Sequence, residues 1–579
     1  MNTKQGRTRK HMKKKKSTLA VISDLTAGHR KMGLFILLVM VLAAFFEALG
    51  LGMILPVLSH LMSPESAQSG AMGAFDKVLA VFPQEHKMII LLGALLAAFW
   101  FKNILAAALR GLNAHFTFKL REIWSTKLLY QYLRMHYSQV LESKQGVMLH
   151  NAIVEPRQVA FSFLILLQLV TKLILFLAIA LVLVATDWKV TLWLAVIVAT
   201  IFVSINKLIT TYSIRFGKKR LKIDQETNSI GVESLGAVKE VKALGMEGRY
   251  KALLKERMER YRRINTAFAI VNHLPENLIE ILAVTGVVSV FGYIHLTGAT
   301  QTTDVLAKMG FFVIAGQKMF SCVSFVLAQR MKFASMEPGM FLIYEAIHHP
   351  EEMEALAQGE SFRSLEQGIK LERVGFSYRT GSPVLKDFSM EIPVNKMTAV
   401  IGPSGAGKST IADLLLGLHH PQEGRITVDG RDLSDYSLRS WRAKVGYVGQ
   451  EPVIFNVSIR ENILAGRPGA SEDEVIQAAR IARIHDFVGT LPQGYDTIVG
   501  DRGAKLSGGQ KQRVVIARVI IRNPYLFIFD EATSALDRET EAEITAAMED
   551  LAGHRTLLVI AHRLSTIKKA DHVYDLSKV

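Results

Sequence analysis

The chain has 579 residues, 50% of them hydrophobic and 21% charged, which excludes a disordered protein and calls for more than one domain. Lysine and arginine number 69 against 52 acidic residues, a formal net charge of +17 that suits either a nucleic acid or a membrane face until its distribution is read. The only cysteine, Cys322, excludes an internal disulfide framework and a multi-cysteine zinc cluster.

Residues 1–31 form a basic leader with Arg7, Arg9, Lys10 and the run Lys13 to Lys16, ending at Arg30 and Lys31. Apolar runs follow near Met32 to Leu58, Met88 to Leu112, Phe163 to Thr186, Trp188 to Thr211, Phe268 to Leu296 and Val305 to Leu327. A bilayer core takes roughly 20 helical residues to cross, so about six crossings are expected. The first run is too long for a cleavable signal peptide and has no clear small-residue cleavage pattern. Lys119, Arg121, Lys127 and Arg134 follow the second run, and Arg215, Lys218, Lys219 and Arg220 follow the fourth; the intervening connections carry no arginine and only Lys77 and Lys87 as lysines. The positive-inside rule therefore predicts both termini in the cytoplasm, and the leader reads first as a topogenic flank rather than an RNA- or lipid-binding arm. Topology thus explains the basic surplus, and no nucleic-acid partner is expected.

Charges inside a bilayer cost about 2.5–3.5 kcal/mol each on insertion scales. Glu47, Lys102, Lys172, Lys207, Glu276, Glu280 and Lys318 lie in the predicted spans and need a wet cavity, a partner or an interface. Glu47, ahead of Gly50, Gly52 and Pro56, is the best candidate for a cavity; the alternative is a helix that carries it beyond the lipid. The segments from Phe116 to Ala160 and from Tyr212 to Thr266 mix charges with apolar residues at helical spacing and are predicted to continue the helices into the cytosol. Short pieces around Gln145 to Ala152 and Ser229 to Ala237 contain Gly146, Gly231 and Gly236 and are expected as turns pressing on another domain. The predicted organisation is a leader at 1–31, a six-helix transmembrane domain at 32–345, a linker at 346–367 and, since Gly402 to Ser409 fits G-x-x-x-x-G-K-[ST], an α/β P-loop ATPase domain at 368–579.

The last of these begins with strand-like alternation at Ile369 to Phe376, and a second short apolar strand, Met397 to Ile401, runs into Gly402-Pro403-Ser404-Gly405-Ala406-Gly407-Lys408-Ser409. This fits G-x-x-x-x-G-K-[ST] between a strand and the helical stretch from Thr410 to Leu418. Its glycines let backbone N–H groups turn toward an anion, and the helix start adds partial positive charge. Lys408 would bridge the β- and γ-phosphates, and the Ser409 hydroxyl would take Mg²⁺. The apolar strand from Tyr525 to Phe529 delivers Asp530 and Glu531 to a sheet edge, Asp530 placed to hold Mg²⁺ and Glu531 to polarise the attacking water.

Leu506-Ser507-Gly508-Gly509-Gln510, upstream of Asp530, resembles the signature of ABC transporters, and the ordered motifs identify an ABC exporter over nearly the whole chain. The resemblance implies that Tyr378 stacks on adenine, that Gly402, Ser404, Gly405, Gly407, Lys408, Ser409 and Thr410 cradle ATP, and that Gln450 senses Mg²⁺ and the γ-phosphate. It also implies that Ser534-Ala535-Leu536-Asp537 couples two ATP sites and that His562 is the switch histidine. One loop and one signature per chain imply a dimer with two composite sites, each completed by Ser507, Gly508, Gly509 and Gln510 of the other copy; a homodimer needs no degenerate partner, and a heterodimer stays open. Val499-Gly500-Asp501-Arg502-Gly503 resembles an exporter coupling loop, with Asp501 where a glutamate is frequent. The chain stops at Val579, where relatives usually continue with another strand and helix. The expected activity is ATP-driven export or flipping of a hydrophobic or amphipathic substrate across a bacterial inner membrane, with loose similarity to flippases for lipid-linked oligosaccharides. A multidrug or peptide exporter is the alternative within the class, an ATP-gated regulator or channel the alternative outside it. Apolar spans disfavour a DNA-repair ATPase.

Overall fold

A computed structural model describes residues 16–53, 84–186, 188–297, 303–348, 353–378, 382–531, 538–561 and 567–578. The chain divides into two compact units: Met1–Arg134 with Ser143–Glu352, and Met135–Glu142 with Met353–Val579.

The first unit is helical. Its helices are α1 (Thr18–Leu25), α2 (Arg30–Gly52) and α3 (Gln84–Leu133); α4 (Tyr137–Glu142) belongs to the second unit; then come α5 (Gln145–Leu149), α6 (Glu155–Thr186), α7 (Trp188–Gly236), α8 (Val238–Ala243), α9 (Glu247–Thr297) and α10 (Thr303–His348). Ser17 caps α1 by accepting from the Ala20 amide, and Val21 and Leu25 enter one apolar cluster with Met340, Ile343 and Ile347 of α10. Three stretches among the described residues are long and apolar enough to cross a membrane: Ala27–Glu47, Met88–Leu133 and Gln145–Val184, with mean hydropathies of 1.8, 2.0 and 2.6. The fourth to sixth expected spans fall in α7, α9 and α10, of 49, 51 and 46 residues. At about 1.5 Å per residue each of these exceeds twice the roughly 30 Å of hydrocarbon. Such helices must continue into water, as the charged ends of α3 and α7 demand.

Glu47 finds a partner, one of the three answers expected for it: it meets Lys102 of α3 at 3.3 Å, inside the helical unit. One sequence expectation changes. The piece at Gln145 to Ala152 is not a turn: α5 runs into a π-helical turn, His150–Val154, and Ser229 lies in the body of α7. Gly146 and Ser229 press on each other instead, since a Cβ at Gly146 would strike the Ser229 backbone. Gly217 does the same where α7 crosses α10, against the Ser335 carbonyl.

Beside that contact lies a buried polar network. Glu155, fully buried, accepts from Arg220 Nη2 at 3.1 Å and lies 3.2 Å from His150 Nε2. Asn228 Nδ2 is 3.1 Å from His150 Nδ1; an amide nitrogen only donates, so the ring proton sits on Nε2 and faces Glu155. Arg220 Nη1 donates to Gln158 Oε1.

The second unit is α/β. β1 (Gly368–Phe376) and β2 (Leu385–Pro393) pair antiparallel, followed by β3 (Met397–Ile401), α11 (Lys408–Leu415), β4 (Glu423–Val428) and β5 (Arg431–Asp432). Then come α12 (Leu438–Ala443), β6 (Val445–Val448), α13 (Ile459–Leu464), α14 (Glu472–Ile481), α15 (His485–Thr490), α16 (Gly508–Ile520), β7 (Leu526–Asp530), α17 (Arg538–Leu551), β8 (Thr556–Ile560) and β9 (His572–Asp575). The order β6-β7-β8-β3-β9 makes a wholly parallel sheet, and β2-β1-β4-β5 a second, antiparallel one. β7 and β8 are buried at every position, as a parallel sheet covered on both faces requires. One core fills the space between the sheets around α11; the other packs α13 to α17 on the opposite face. The carboxyl ends of β3, β6 and β7 therefore deliver Gly402, Gln450 and Asp530 to one edge.

Candidate functional site

After β3 the chain reverses through Gly402, Gly405 and Gly407, at φ of 150°, 83° and 94°, angles that a side chain makes costly. Gly407 is the N-cap of α11 and offers no side chain, so the first N–H groups of that helix point to the loop's hollow. Lys408 is 5% exposed, and its Nζ donates at 2.9 Å to the carbonyls of both Gly402 and Pro403, which closes the loop around the ammonium. Ser404 and Gly405 form the exposed crest.

Opposite the loop, Ser409 Oγ donates to Asp530 Oδ1 at 3.3 Å, and the Tyr447 hydroxyl approaches Asp530 Oδ2 at 3.5 Å. Burial pushes the Asp530 carboxyl up, while the Ser409 hydrogen bond pulls it down and the neighbouring Glu531 charge raises it again. Gln450 Nε2 donates to Glu531 Oε2 at 2.8 Å, and the Glu531 amide donates to Ile560 O at 3.2 Å. Glu531 itself sits at φ 50°. A left-handed conformation costs a non-glycine residue about 1–2 kcal/mol, and strain held by surrounding bonds is common where chemistry is done.

Tyr378 is 48% exposed, with its hydroxyl 3.1 Å from Thr410 Oγ1 and donating to Asp413 Oδ2 at 3.3 Å. Its ring packs edge-to-face on Phe376 and on His419, at 5.0 and 5.4 Å between centroids. His419 also meets Tyr137 of α4 at 5.7 Å. The loop, Tyr378, Thr410, Gln450, Asp530 and Glu531 thus gather at one edge. Ser507 and Gln510 instead bond to each other in a capping box at the start of α16, with Gly508 and Gly509 in its first turn. Among the described residues none of their hydrogen bonds reaches the loop at 402–410. Asp537 and His562 lie outside the described residues.

Sequence reasoning missed Asp413, Tyr447, His419 and Tyr137. Asp413 is the one with a local signal: three residues after Thr410 on α11, it shares Thr410's face. Burial pushes its carboxyl up to about 6, countered by Tyr378 and reinforced by Asp530. The native state therefore holds this proton more tightly than the unfolded chain does. The associated stability is fully present below 3.8 and is lost as pH rises through about 6. In Asp413→Asn that loss disappears, and thermal melts of the two proteins across this interval check it; parallel pH profiles would remove Asp413 as the source.

A cation at Ser409 and Asp530 would meet oxygen donors, which suit Mg²⁺. Among the described residues no trio of His, Cys, Asp and Glu gathers around a point, so such an ion needs further oxygens from phosphate or water.

Residues 32–315 match the ABC transporter transmembrane region, and residues 385–534 match the ABC transporter family. The chain is 30% identical over 562 residues to the heterocyst differentiation ATP-binding protein HepA of a Nostoc species, across 94% of this chain and 89% of HepA. It is 38% identical over 362 residues to the uncharacterized ABC transporter ATP-binding protein y4gM of Sinorhizobium fredii, across 61% of this chain but only 60% of that protein. The structure of a bacterial Atm1-family ABC exporter with ATP bound superposes with a TM-score of 0.76 at 25% identity, covering 94% and 93% of the two chains. A phosphate loop followed by a helix-starting signature, carried behind apolar helices long enough to span a bilayer, places this chain in the ABC transporter family as an exporter half-transporter that couples ATP hydrolysis to transport.

Proposed function

We propose that two copies of the chain form a homodimer in which each ATP lies between the loop at Gly402–Thr410 of one copy and Ser507, Gly508, Gly509 and Gln510 of the other. Tyr378 takes the adenine, once its hydroxyl leaves Thr410 and Asp413. Lys408 holds the outer phosphates. Ser409, Gln450 and Asp530 hold Mg²⁺, which supplies charge neutralisation on the phosphates. Glu531, held by Gln450, accepts the proton of the attacking water; His562 contacts the γ-phosphate, and Asp537 links the two sites. The observation that supports the catalytic assignments is the meeting of Ser409 with Asp530 and of Gln450 with Glu531; the dimer rests on each chain's having one loop and one signature, which do not meet within it.

The cargo is an amphipathic molecule with an anionic head, a lipid or a lipid-linked oligosaccharide, moved outward across a bacterial cell membrane with both termini cytoplasmic. Charge supports this. Glu47 is answered by Lys102, whereas among the described residues no carboxylate pairs with Lys172 or Lys318, on helices that pack together, α6 and α10. ATPase activity in nanodiscs tests the reading against anionic lipids, lipid-linked glycans and uncharged hydrophobic peptides. Stimulation by anionic amphiphiles is expected; stimulation by peptides alone would point to a peptide exporter.

A further inference from the structure

Between α3 and α6, inside the helical unit, lies a cleft of about 200 Å³ walled by Arg110, Asn113, Thr117, Phe118, Phe161 and Gln168. Its depth follows from charge. Arg110 closes the apolar run Met88 to Leu112, and Lys119, Arg121 and Lys127 follow on the same helix; on α6, Arg157 precedes the cleft and the apolar run starts at Phe163. With the orientation proposed above, the cleft sits in the cytoplasmic head-group zone.

Its chemistry is divided. Arg110 Nε donates to the Ala106 carbonyl at 3.3 Å, and among the described residues no carboxylate meets its guanidinium. Both Nη groups remain, at a depth where a lipid phosphate is a guanidinium's natural counterpart. Asn113 is 8% exposed, and its Oδ1 has no donor. Thr117 cannot help, because its hydroxyl is spent on the Asn113 carbonyl at 2.8 Å. Rotating the Asn113 amide toward the cleft would exchange an unmet buried acceptor for a hydroxyl of a bound head group. Phe118 and Phe161, 55% and 41% exposed, flank these polar groups with apolar rings. A free phosphate has no use for the rings, and an uncharged hydrocarbon has none for the guanidinium.

We propose that this cleft binds the head group of a glycerophospholipid-like amphiphile of the cytoplasmic leaflet, its phosphate on Arg110 and an adjacent hydroxyl on Asn113. The inference deepens the amphiphile reading above, yet the site and the transport can fail separately.

The probe is phosphatidylglycerol, which carries both a phosphate and free hydroxyls. Full-length protein is purified from phosphatidylcholine nanodiscs doped with graded phosphatidylglycerol, and lipid retained is counted by native mass spectrometry. Losing one charge-assisted hydrogen-bond set costs about tenfold in affinity, so Arg110→Gln should need about ten times the phosphatidylglycerol for equal retention. Arg110→Lys should fall between, and Arg121→Gln, on the same helix but outside the cleft, should match the wild type. Asn113→Leu should retain phosphatidylglycerol no better than a lipid without head-group hydroxyls. Equal retention by wild type and Arg110→Gln, or an equal loss in Arg121→Gln, overturns the site. ATP-driven movement of labelled phosphatidylglycerol is read separately: retention that depends on Arg110 without movement upholds the site and sinks the lipid as cargo.

Discussion

Glu531→Gln is expected to bind ATP as the wild type does and to hydrolyse it about 10²–10⁴-fold more slowly, the range that a positioned general base contributes. The substitution keeps the side chain's shape, and the new amide can still take the Gln450 hydrogen bond now received at 2.8 Å, so the site stays assembled. On the proposed role, what is lost is the carboxylate oxygen that accepts a proton from the attacking water. Neither the phosphate loop nor the Ser409–Asp530 contact is touched, which is why affinity and turnover should separate. Phosphate release measured beside equilibrium nucleotide binding makes the distinction. Wild-type turnover would transfer the base's role elsewhere, and loss of binding would make Glu531 a structural residue.

The largest stability effect is expected far from the ATP site. Glu155→Ala leaves the buried His150 without its acceptor and Arg220, 6% exposed, with Gln158 and, at 3.8 Å, Asp224; removing one partner from a buried ion pair costs up to about 3–5 kcal/mol, and the remaining carboxylate puts this loss at the lower end. Glu155→Gln keeps the volume and one acceptor oxygen and should cost less. The exposed pair of Lys119 and Glu122, at 2.8 Å, is the contrast: Glu122→Ala should cost about 0–1 kcal/mol. Melting of the three variants in detergent orders them. A Glu155→Ala protein as stable as Glu122→Ala would show that the network carries no net stability.

What could be read from sequence was local. The loop at Gly402 to Ser409 and the capping box of Ser507 and Gln510 are contiguous patterns in which each residue's partner lies within a few positions. Asp530 and Glu531 were legible for the same reason, at the end of a short apolar strand. What escaped depends on which helices lie side by side. That Glu47 needs an answer is legible in the sequence; which residue gives it is not, because the partner is 55 positions away on α3. Glu155 and Arg220 sit in charged stretches expected to continue the helices into the cytosol, and only the packing of α6 on α7 shows that these two are interior. Gly146 is a turn signal in the sequence, whereas in the structure it permits two helices to touch. The motif order places Tyr378 at the adenine, and its bonds to Thr410 and Asp413 have no local signature because they cross from a strand end to α11.

The central claim is that each ATP is enclosed by two copies, and mixed dimers test it most directly. A chain carrying Lys408→Ala lacks a working loop, and a chain carrying Ser507→Arg lacks a working signature. Each alone should hydrolyse almost no ATP. In a dimer of one with the other, the sound loop of the second chain faces the sound signature of the first, so one complete site is restored and activity should reappear on mixing. Full activity of Ser507→Arg by itself, or no recovery in verified mixed dimers, would contradict the account.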